Sequence, residues 1–111
     1  MKMQHKFLRE VCAETGVTRR AVQGYEKEGL VSAVGKNKYG YLLYDEIGVE
    51  RIRTIRFLQK TGLSLRQIRD MIDAPAACQK EVLLLQVEKL ETRRAELSEL
   101  IAGIQQYIEN L

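Results

Sequence analysis

The chain has 111 residues, of which 45% are hydrophobic and 30% charged, with one Pro and no Trp. This size accommodates one compact core plus an extension and leaves little room for an enzyme with a deep cleft. No apolar run approaches the roughly 20 residues that span a bilayer, and the first ten residues lack the apolar segment of a signal peptide. The composition excludes disordered and membrane-spanning proteins and predicts a helix-rich cytoplasmic protein.

Basic residues are concentrated in the first two thirds of the chain. Residues 1–72 hold 14 Lys and Arg against 8 Asp and Glu, a net charge of +6. Residues 73–111 hold 4 basic against 7 acidic residues, a net charge of −3. The first part is therefore the candidate nucleic-acid-binding region.

A helix-turn-helix is predicted near the N-terminus, after a first stretch around His5 that is expected to fray. Gly16 ends the first helix, and Thr18 caps a second helix that continues to Lys27. The first helix has its inward residues at helical spacing: Leu8, Val11, Cys12 and Thr15.

The second helix of such a motif enters the major groove of DNA, so its early residues meet phosphates and base edges. Here these residues are Thr18, Arg19 and Arg20, with Gln23 one turn further on. Arginine neutralises phosphates or pairs with guanine, and glutamine pairs with adenine. Tyr25 is expected to offer its hydroxyl to a phosphate while its ring packs below. The alternative for Arg19 and Arg20 is a solvated helix start without a ligand.

A two-stranded wing is predicted over residues 30–44, where two glycines punctuate a run of Val, Tyr and Leu. Its tip is expected at Gly35-Lys36-Asn37-Lys38. Such a tip follows the DNA backbone or reaches the minor groove, and the alternative is an exposed, solubilising hairpin. The candidate DNA contacts of the wing are Lys36, Lys38, Tyr39 and Tyr41.

Two further helices follow the wing. Asp45 is the predicted cap of the third helix, which continues to Gly62, and Ser64 with Gln67 forms a capping box that opens a short fourth helix. The loop around Pro75 ends this region. The third helix is expected to bury the stripe Ile47, Ile52, Ile55, Phe57 and Leu58. The fourth is expected to turn inward Leu65, Ile68, Met71 and Ile72.

The last helix is predicted over residues 79–111, after a DNA-binding domain at 1–73 and a linker at 74–78. Its apolar residues recur in alternating steps of four and three, which is the pattern of a coiled coil. Self-association into a homodimer covers such a seam most simply. Arg94 is the polar residue in the seam, where it either fixes the register of the pair or extends its charge to solvent. The predicted seam is Leu83, Val87, Leu90, Arg94, Leu97, Ile101, Ile104, Ile108 and Leu111.

Neither cysteine has a clear chemical partner in the sequence. Cys12 lies on the apolar face of the first helix and is expected to be a small core residue. Cys78 precedes a helix N-terminus, where the helix dipole favours a thiolate, so it is a candidate redox residue or an incidental cysteine. No nucleophile–base pair, metal-ligand cluster or cofactor motif is present, and neither catalysis, a metal nor a cofactor is expected.

Several motifs together resemble the MerR family of bacterial transcription regulators, and the resemblance covers nearly the whole chain. The motifs are Gly16-Val17-Thr18, Tyr25-Glu26 followed by Gly29-Leu30, Gly40-Tyr41 with Tyr44, and Thr61-Gly62-Leu63-Ser64-Leu65 with Ile68. The resemblance implies a mainly α winged helix-turn-helix protein with a β-hairpin wing, a second helical wing and an antiparallel C-terminal coiled coil. It also implies a short member of the family without an effector domain.

The resemblance further implies a function. A dimer of this family binds a pseudo-palindromic element of double-stranded promoter DNA and distorts it so that RNA polymerase engages both promoter boxes. The second wing spans residues 45–72, which adds Lys60, Ser64 and Arg66 as backbone contacts. Metal-responsive relatives place a cysteine where Cys78 stands, but their other ligands lie beyond the last helix, so metal sensing is not expected.

This chain departs from the family pattern at three positions. Gln23 and Gly24 stand where Arg-Tyr is usual, and Leu42 stands where arginine follows Gly-Tyr. Two arginine contacts are therefore absent, and Gly24 costs about 1 kcal/mol of helix propensity. Close backbone approach or relaxed selection explains that glycine. The departures keep two alternatives open: a protein-interaction module with weakened DNA readout, and a thiol-sensing regulator that uses Cys78.

Overall fold

The computed structural model describes residues 5–111, which divide into two compact units on either side of the bond between Asp73 and Ala74. The first unit holds a small sheet and four helices, and the second is a single long helix. In chain order the elements are β1 (Lys6–Phe7), α1 (Leu8–Thr15), α2 (Arg19–Lys27), β2 (Gly35–Lys36), β3 (Leu42–Tyr44), α3 (Glu46–Lys60), α4 (Leu65–Met71) and α5 (Ala76–Glu109).

The helix boundaries follow local capping chemistry, and the predicted caps are confirmed. Thr18 Oγ1 accepts the amide of Ala21 at 3.1 Å, and Asp45 Oδ1 accepts the amide of Gly48 at 2.8 Å. Ser64 and Gln67 form the reciprocal pair expected of a capping box. Gly16 ends α1 with a φ of 72°, a left-handed conformation that glycine adopts without strain.

The wing is a three-stranded sheet, with one strand more than the sequence predicted. β1 pairs antiparallel with β3, which places Lys6 opposite Tyr44 and Phe7 opposite Leu43. β2 pairs with the other edge of β3. The expectation that the chain frays around His5 is therefore wrong for Lys6 and Phe7. Two residues are too short for a period-2 pattern to be visible in the sequence.

The tip of the wing lies further along the chain than predicted. Gly35 and Lys36 form a strand, and the turn is closed by two backbone hydrogen bonds, from Gly40 N to Asn37 O and from Asn37 N to Tyr41 O, each 3.0 Å long. Gly40 has a φ of 82°, and this residue rather than Gly35 provides the left-handed position that reverses the chain.

The core of the first unit lies between α1, α2, α3, α4 and β3. Its buried side chains are Leu8, Val11, Val17, Val22, Tyr25, Leu30, Val31, Tyr44, Val49, Ile52, Ile55, Leu58, Leu63, Ile68 and Met71. Ile68 and Met71 face this core as predicted, whereas Leu65 and Ile72 are only half-buried.

Two members of the predicted stripe of α3 are wrong. Ile47 is 74% exposed and Phe57 is 64% exposed. At about 100° per residue, Phe57 lies about 200° around the helix from Ile55, on the opposite face. The inward face consists of Gly48, Val49, Ile52, Ile55 and Leu58.

The second unit is α5, which begins at Ala76 and not at Gln79. Pro75 is the N-cap, and its carbonyl accepts the amides of Cys78 at 2.9 Å and Gln79 at 3.1 Å. Residues 76–78, which the sequence assigned to a linker, are therefore the first turn of the helix. Proline is favoured near the start of a helix because it has no amide hydrogen to satisfy there.

Most of the predicted seam of α5 faces outward within this unit, and Leu83 at its start is half-buried. Val87, Leu90, Leu97, Ile101 and Ile104 are all exposed, as are Ile108 and Leu111 at the end of the helix. A helix of 34 residues extends about 50 Å. Along residues 5–111, no helix combines the length and the hydrophobicity needed to cross a bilayer.

Candidate nucleic-acid interface

Tyr25 anchors α2 to the core and is not presented to a ligand. Its side chain is buried, and its hydroxyl donates to Gln59 Oε1 of α3 at 2.5 Å. Burial raises the pKa of this phenol, opposed by the nearby charge of Arg56. The predicted phosphate contact of Tyr25 therefore does not fit this geometry, because the hydroxyl is already used within the unit.

A second tyrosine connects α2 to the wing. The hydroxyl of Tyr44, which is fully buried at the end of β3, donates to Glu26 Oε1. Burial raises the pKa of Tyr44, and the hydrogen bond to the Glu26 carboxylate raises it further. The Tyr25-Glu26 pair thus has a structural role, since one residue holds α2 on α3 and the next holds it on β3.

The opposite face of α2 is free for a ligand. Thr18, Arg19, Arg20 and Gln23 are all exposed at the start of the helix, while Val22 between them is buried. The helix begins at Arg19, so both arginines lie in its first turn, where amide groups also point outward. Arginine side chains and a helix N-terminus together favour a phosphate group.

The wing presents its predicted residues to solvent. Lys36, Lys38, Tyr39 and Tyr41 are exposed. Asn37, which the sequence prediction did not single out, organises them: its Oδ1 accepts the amides of Tyr39 at 2.9 Å and Tyr41 at 3.0 Å. Asparagine before a glycine turn commonly makes such bonds, so the sequence did contain a signal for this residue.

The turn between α3 and α4 carries the last three predicted contacts. Lys60, Ser64 and Arg66 are exposed. Ser64 Oγ accepts the amide of Gln67 at 3.1 Å, so this hydroxyl caps α4. Its capping role does not consume its hydrogen, which can still be donated to a phosphate.

One group of basic residues in the first unit forms ion pairs with acidic residues. Lys6 and Arg53 both pair with Glu14, Arg53 also with Glu50, and Arg69 pairs with Glu28. The hydrogen bond from Lys6, together with the Lys6 and Arg53 charges, lowers the pKa of Glu14, which burial alone would raise.

Arg51 belongs to the same paired group and connects three segments. Its Nε donates to the carbonyl of Leu30 at 2.9 Å, and its two terminal nitrogens donate to Asp73 at 2.7 and 2.9 Å. This two-pronged contact lowers the pKa of the Asp73 carboxyl. Arg51 thereby holds the end of the first unit against the segment that follows α2.

Within residues 5–73, the other basic side chains make no ion pair, and every lysine and arginine in the predicted interface is among them. Arg9, Lys27 and Arg56 have the same property and were not singled out from the sequence. The complete group is Arg9, Arg19, Arg20, Lys27, Lys36, Lys38, Arg56, Lys60 and Arg66. The basic residues that form ion pairs within the first unit and those free to meet an anion are thus separate sets.

The cysteines provide no metal centre. Cys12 is partly buried, and burial raises the pKa of its thiol, opposed by Arg19. Cys78 is exposed in the first turn of α5. Over the described residues 5–111, no three His, Cys, Asp or Glu side chains lie close enough together to hold a metal ion.

Comparison with known families decides the relationship. The family model described as MerR HTH family regulatory protein matches residues 8–75, more than half of the chain. The chain belongs to the MerR family. A second model, described as MerR, DNA binding, matches residues 49–111. The chain thus carries the DNA-binding region of a MerR-family transcription regulator, and its mainly helical winged fold is the one that the sequence predicted.

Named relatives agree with this assignment. The HTH-type transcriptional activator mta of Bacillus subtilis is 31% identical over 104 residues, which are 94% of this chain and 39% of the activator. A probable heavy metal-dependent transcriptional regulator of Haemophilus influenzae is 28% identical, over 86% of this chain and 77% of that protein. The chain spans about two fifths of the length of the first of these MerR-family relatives.

Solved structures share the fold. The N-terminal part of the Bacillus subtilis multidrug transporter activator, MtaN, has a TM-score of 0.73 and 27% identity, covering 93% of this chain and 97% of that one. HiNmlR, a MerR-family regulator lacking the sensor domain and solved bound to promoter DNA, has a TM-score of 0.74 at 20% identity, covering 88% of this chain and 79% of that one.

Gly24, a departure from the MerR-family pattern, has open space around it. A Cβ atom at this position would meet no other group within 4 Å. Close approach by the protein's own backbone therefore does not explain the glycine. We expect Gly24→Ala to raise the free energy of unfolding by about 1 kcal/mol, because alanine has the higher helix propensity.

The matched control for Gly24→Ala is Gly16→Ala, measured by urea denaturation at the same protein concentration. Gly16 also has open space, but its φ is 72°. An added Cβ there is strained, so this variant should lose about 1 kcal/mol. Equal effects of the two substitutions would contradict the helical assignment of Gly24.

Proposed function

We propose that the chain acts as a homodimer that binds a pseudo-palindromic promoter element and regulates transcription. The observation that carries the proposal is the separation of charges in the first unit. Acidic residues neutralise Lys6, Arg51, Arg53 and Arg69, while the cations on α2, the wing and the α3–α4 turn are left unpaired. Unpaired exposed cations are what a protein needs to displace the counterions of DNA.

Each DNA contact is assigned to an element of the first unit. The start of α2 lies in the major groove, where Arg19 and Arg20 contact phosphates or guanine and Gln23 reads a base edge. Tyr25 is left out because its hydroxyl is bonded to Gln59. The DNA contacts outside α2 come from Lys36, Lys38, Tyr39, Tyr41, Lys60, Ser64 and Arg66, all of which are exposed.

The second unit joins two copies of the DNA-binding unit into a homodimer. The seam of α5 exposes an apolar stripe, interrupted by Arg94, that a second copy of the same helix covers. Arg94 is exposed and has no ion pair within its own helix, which leaves its guanidinium available to a carboxylate of the partner or to solvent. Two half-sites related by a two-fold axis then match the symmetry of the dimer.

The proposed role is binding and not catalysis. Its ligand is double-stranded DNA, and RNA polymerase at the same promoter is the implied protein partner. We place the function in the cytoplasm, where bacterial promoter DNA lies. No cofactor is invoked.

The function is tested by selecting duplexes from a random-sequence pool with the purified protein, followed by gel retardation over a range of salt. We expect a two-fold symmetric motif and a steep fall of affinity with salt, because bound lysines and arginines release counterions. Failure to retain any duplex at low salt would overturn the proposal.

Arg19→Ala tests the assignment of α2. We expect at least about tenfold weaker binding, and a slope of log K against log salt that is smaller by about 2 if both copies contact phosphate. The matched control is Lys89→Ala, which removes one exposed charge from α5. Equal losses in the two variants would mean that only overall charge matters, and unchanged affinity of Arg19→Ala would refute its contact.

The sequence departures favour one second candidate, a protein-interaction module. Gln23, Gly24 and Leu42 remove two arginines that the MerR-family pattern places against DNA. Specific capture of a protein partner together with absence of DNA protection in footprinting would select this function. A thiol-sensing role for Cys78 stays a prediction, which Cys78→Ser tests by loss of any response to oxidant.

A further inference from the structure

Three aromatic rings lie together on the wing with no obvious role in folding. Tyr39 and Tyr41 are 71% and 62% exposed, and Phe7, on the additional strand β1, is 38% exposed. The rings of Phe7 and Tyr41 meet edge to face with centroids 6.4 Å apart, and those of Tyr39 and Tyr41 are 6.5 Å apart. We call Phe7, Tyr39 and Tyr41 the wing aromatic cluster.

The cluster is held in place although it is exposed. The side chain of Asn37 fixes the backbone of both tyrosines through their amides, at 2.9 and 3.0 Å. Phe7 contacts Tyr41 from the neighbouring strand, because β1 pairs with β3 and Tyr41 directly precedes β3. A backbone fixed in this way loses little conformational freedom when the tyrosines bind a ligand.

The charge around the cluster selects an anionic ligand. The ammonium group of Lys38 lies 5.1 Å from the centroid of the Tyr39 ring, and neither Lys36 nor Lys38 has an acidic partner among residues 5–111. Aromatic rings interleaved with cations stack on the open bases of single-stranded nucleic acid while the cations neutralise phosphates. On a duplex, such rings can stack only where a base step opens. A purely apolar protein partner would leave both ammonium groups uncompensated.

The wing also lacks the cation that its strand would otherwise provide. Leu42, at the start of β3, is half-buried and stands where the MerR family has arginine. Lys36 faces it across the strand pair. The surface that meets DNA at this point therefore depends on rings and on lysines of the tip, and not on an arginine in the strand.

We propose that the wing aromatic cluster is a base-stacking site, at which Tyr39 or Tyr41 enters a minor-groove base step of the bound duplex and unstacks it. Side chains that enter a base step in this way kink the duplex and so give access to more protein surface. The inference rests on the proposed function, since it concerns how the same dimer holds its DNA.

The experiment uses the full chain and a selected duplex in which 2-aminopurine replaces adenine at successive positions. The fluorescence of 2-aminopurine rises when the base is unstacked. At saturating wild-type protein, we expect a rise at one step in each half-site. In Tyr39→Ala/Tyr41→Ala the rise should be lost at saturation, and affinity should fall about tenfold to a hundredfold.

The matched control is Ile47→Ala, which removes an exposed apolar side chain of the same unit outside the cluster. It should keep both the fluorescence rise and the affinity. Both tyrosines are exposed, so the double variant should fold, and thermal unfolding monitored by circular dichroism checks this directly.

Four results would overturn the base-stacking site. If the wild-type protein binds DNA without a rise of 2-aminopurine fluorescence at any position, the base-stacking site is refuted and the proposed function is unaffected. A rise that persists in the double variant assigns the unstacking to other residues. A loss of affinity in the double variant without any wild-type rise assigns the rings to sugar or phosphate contacts. Absence of DNA binding by the wild type removes both proposals.

Discussion

Replacing Ile101 by glutamate is expected to convert the protein to a monomer and to lower its affinity for a selected duplex by at least about a hundredfold. Ile101 lies in the seam of α5 and is exposed within its own unit, so only a partner can bury it. By the two-fold symmetry of a homodimer, one substitution places two carboxylates in the seam. Each ionised carboxylate taken out of water costs several kcal/mol unless it is paired.

The loss of DNA affinity follows from the loss of the dimer. In the dimer, binding of one half-site brings the second reader to its half-site at a high effective concentration, which a monomer cannot do. The same substitution changes no residue of the first unit, since Ile101 belongs to the second unit. Dimerisation is therefore the step that Ile101→Glu tests.

The matched control is Ala102→Glu, which adds the same charge one residue later. At about 100° per residue this position lies off the seam. Sedimentation velocity reports the oligomeric state, and gel retardation reports affinity. A dimer that persists in Ile101→Glu, or that is lost equally in Ala102→Glu, would mean that α5 does not pair through the predicted seam.

The sequence predicted the elements that depend on local chemistry. Thr18, Asp45 and Ser64 each have a side chain that satisfies an amide of the turn that follows, so the caps were visible in the sequence. The inward face of α1, on which Leu8 and Val11 are buried, was also visible because helical periodicity repeats along this helix. These features fixed the fold class without any knowledge of long-range contacts.

The features that were missed depend on contacts between distant segments. β1 exists because Lys6 and Phe7 pair with β3, almost 40 residues away, and no local pattern announces it. The sequence predicts that Tyr25, near the end of the helix that enters the major groove, offers its hydroxyl to a phosphate. Its actual partner, Gln59, lies 34 residues further along the chain. The sequence alone does not show whether the hydroxyl of a tyrosine bonds to water, to DNA or to another side chain.

The predicted orientation of α3 about its own axis is the error with the largest consequence for stability. The sequence offered Ile47, Ile52, Ile55 and Phe57 as one stripe, although a single helix face cannot hold all four. Apolar residues on an exposed face are common in soluble proteins, so hydrophobicity alone does not assign a residue to the core. In the structure, Gly48, Val49, Ile52, Ile55 and Leu58 form the buried face of α3.

The observed orientation of α3 predicts very different effects on stability when two isoleucines of this helix are replaced by alanine. Ile52 is 0% exposed and Ile47 is 74% exposed. We expect Ile52→Ala to lower the free energy of unfolding by about 2–5 kcal/mol, because it removes buried methyl groups and leaves a cavity. Ile47→Ala should change it by less than about 0.5 kcal/mol, since the side chain contacts mainly water.

Urea denaturation of both variants at one protein concentration measures the difference, and fixing the concentration keeps the contribution of dimerisation equal in the two variants. If Ile47→Ala were the more destabilising variant, α3 would have to be rotated about its axis. Such a rotation would also displace Arg51 from Leu30 and Gln59 from Tyr25, two contacts through which α3 positions the second helix of the DNA reader. The stability of Ile47→Ala and Ile52→Ala therefore tests the support of the DNA-binding surface as well as the core.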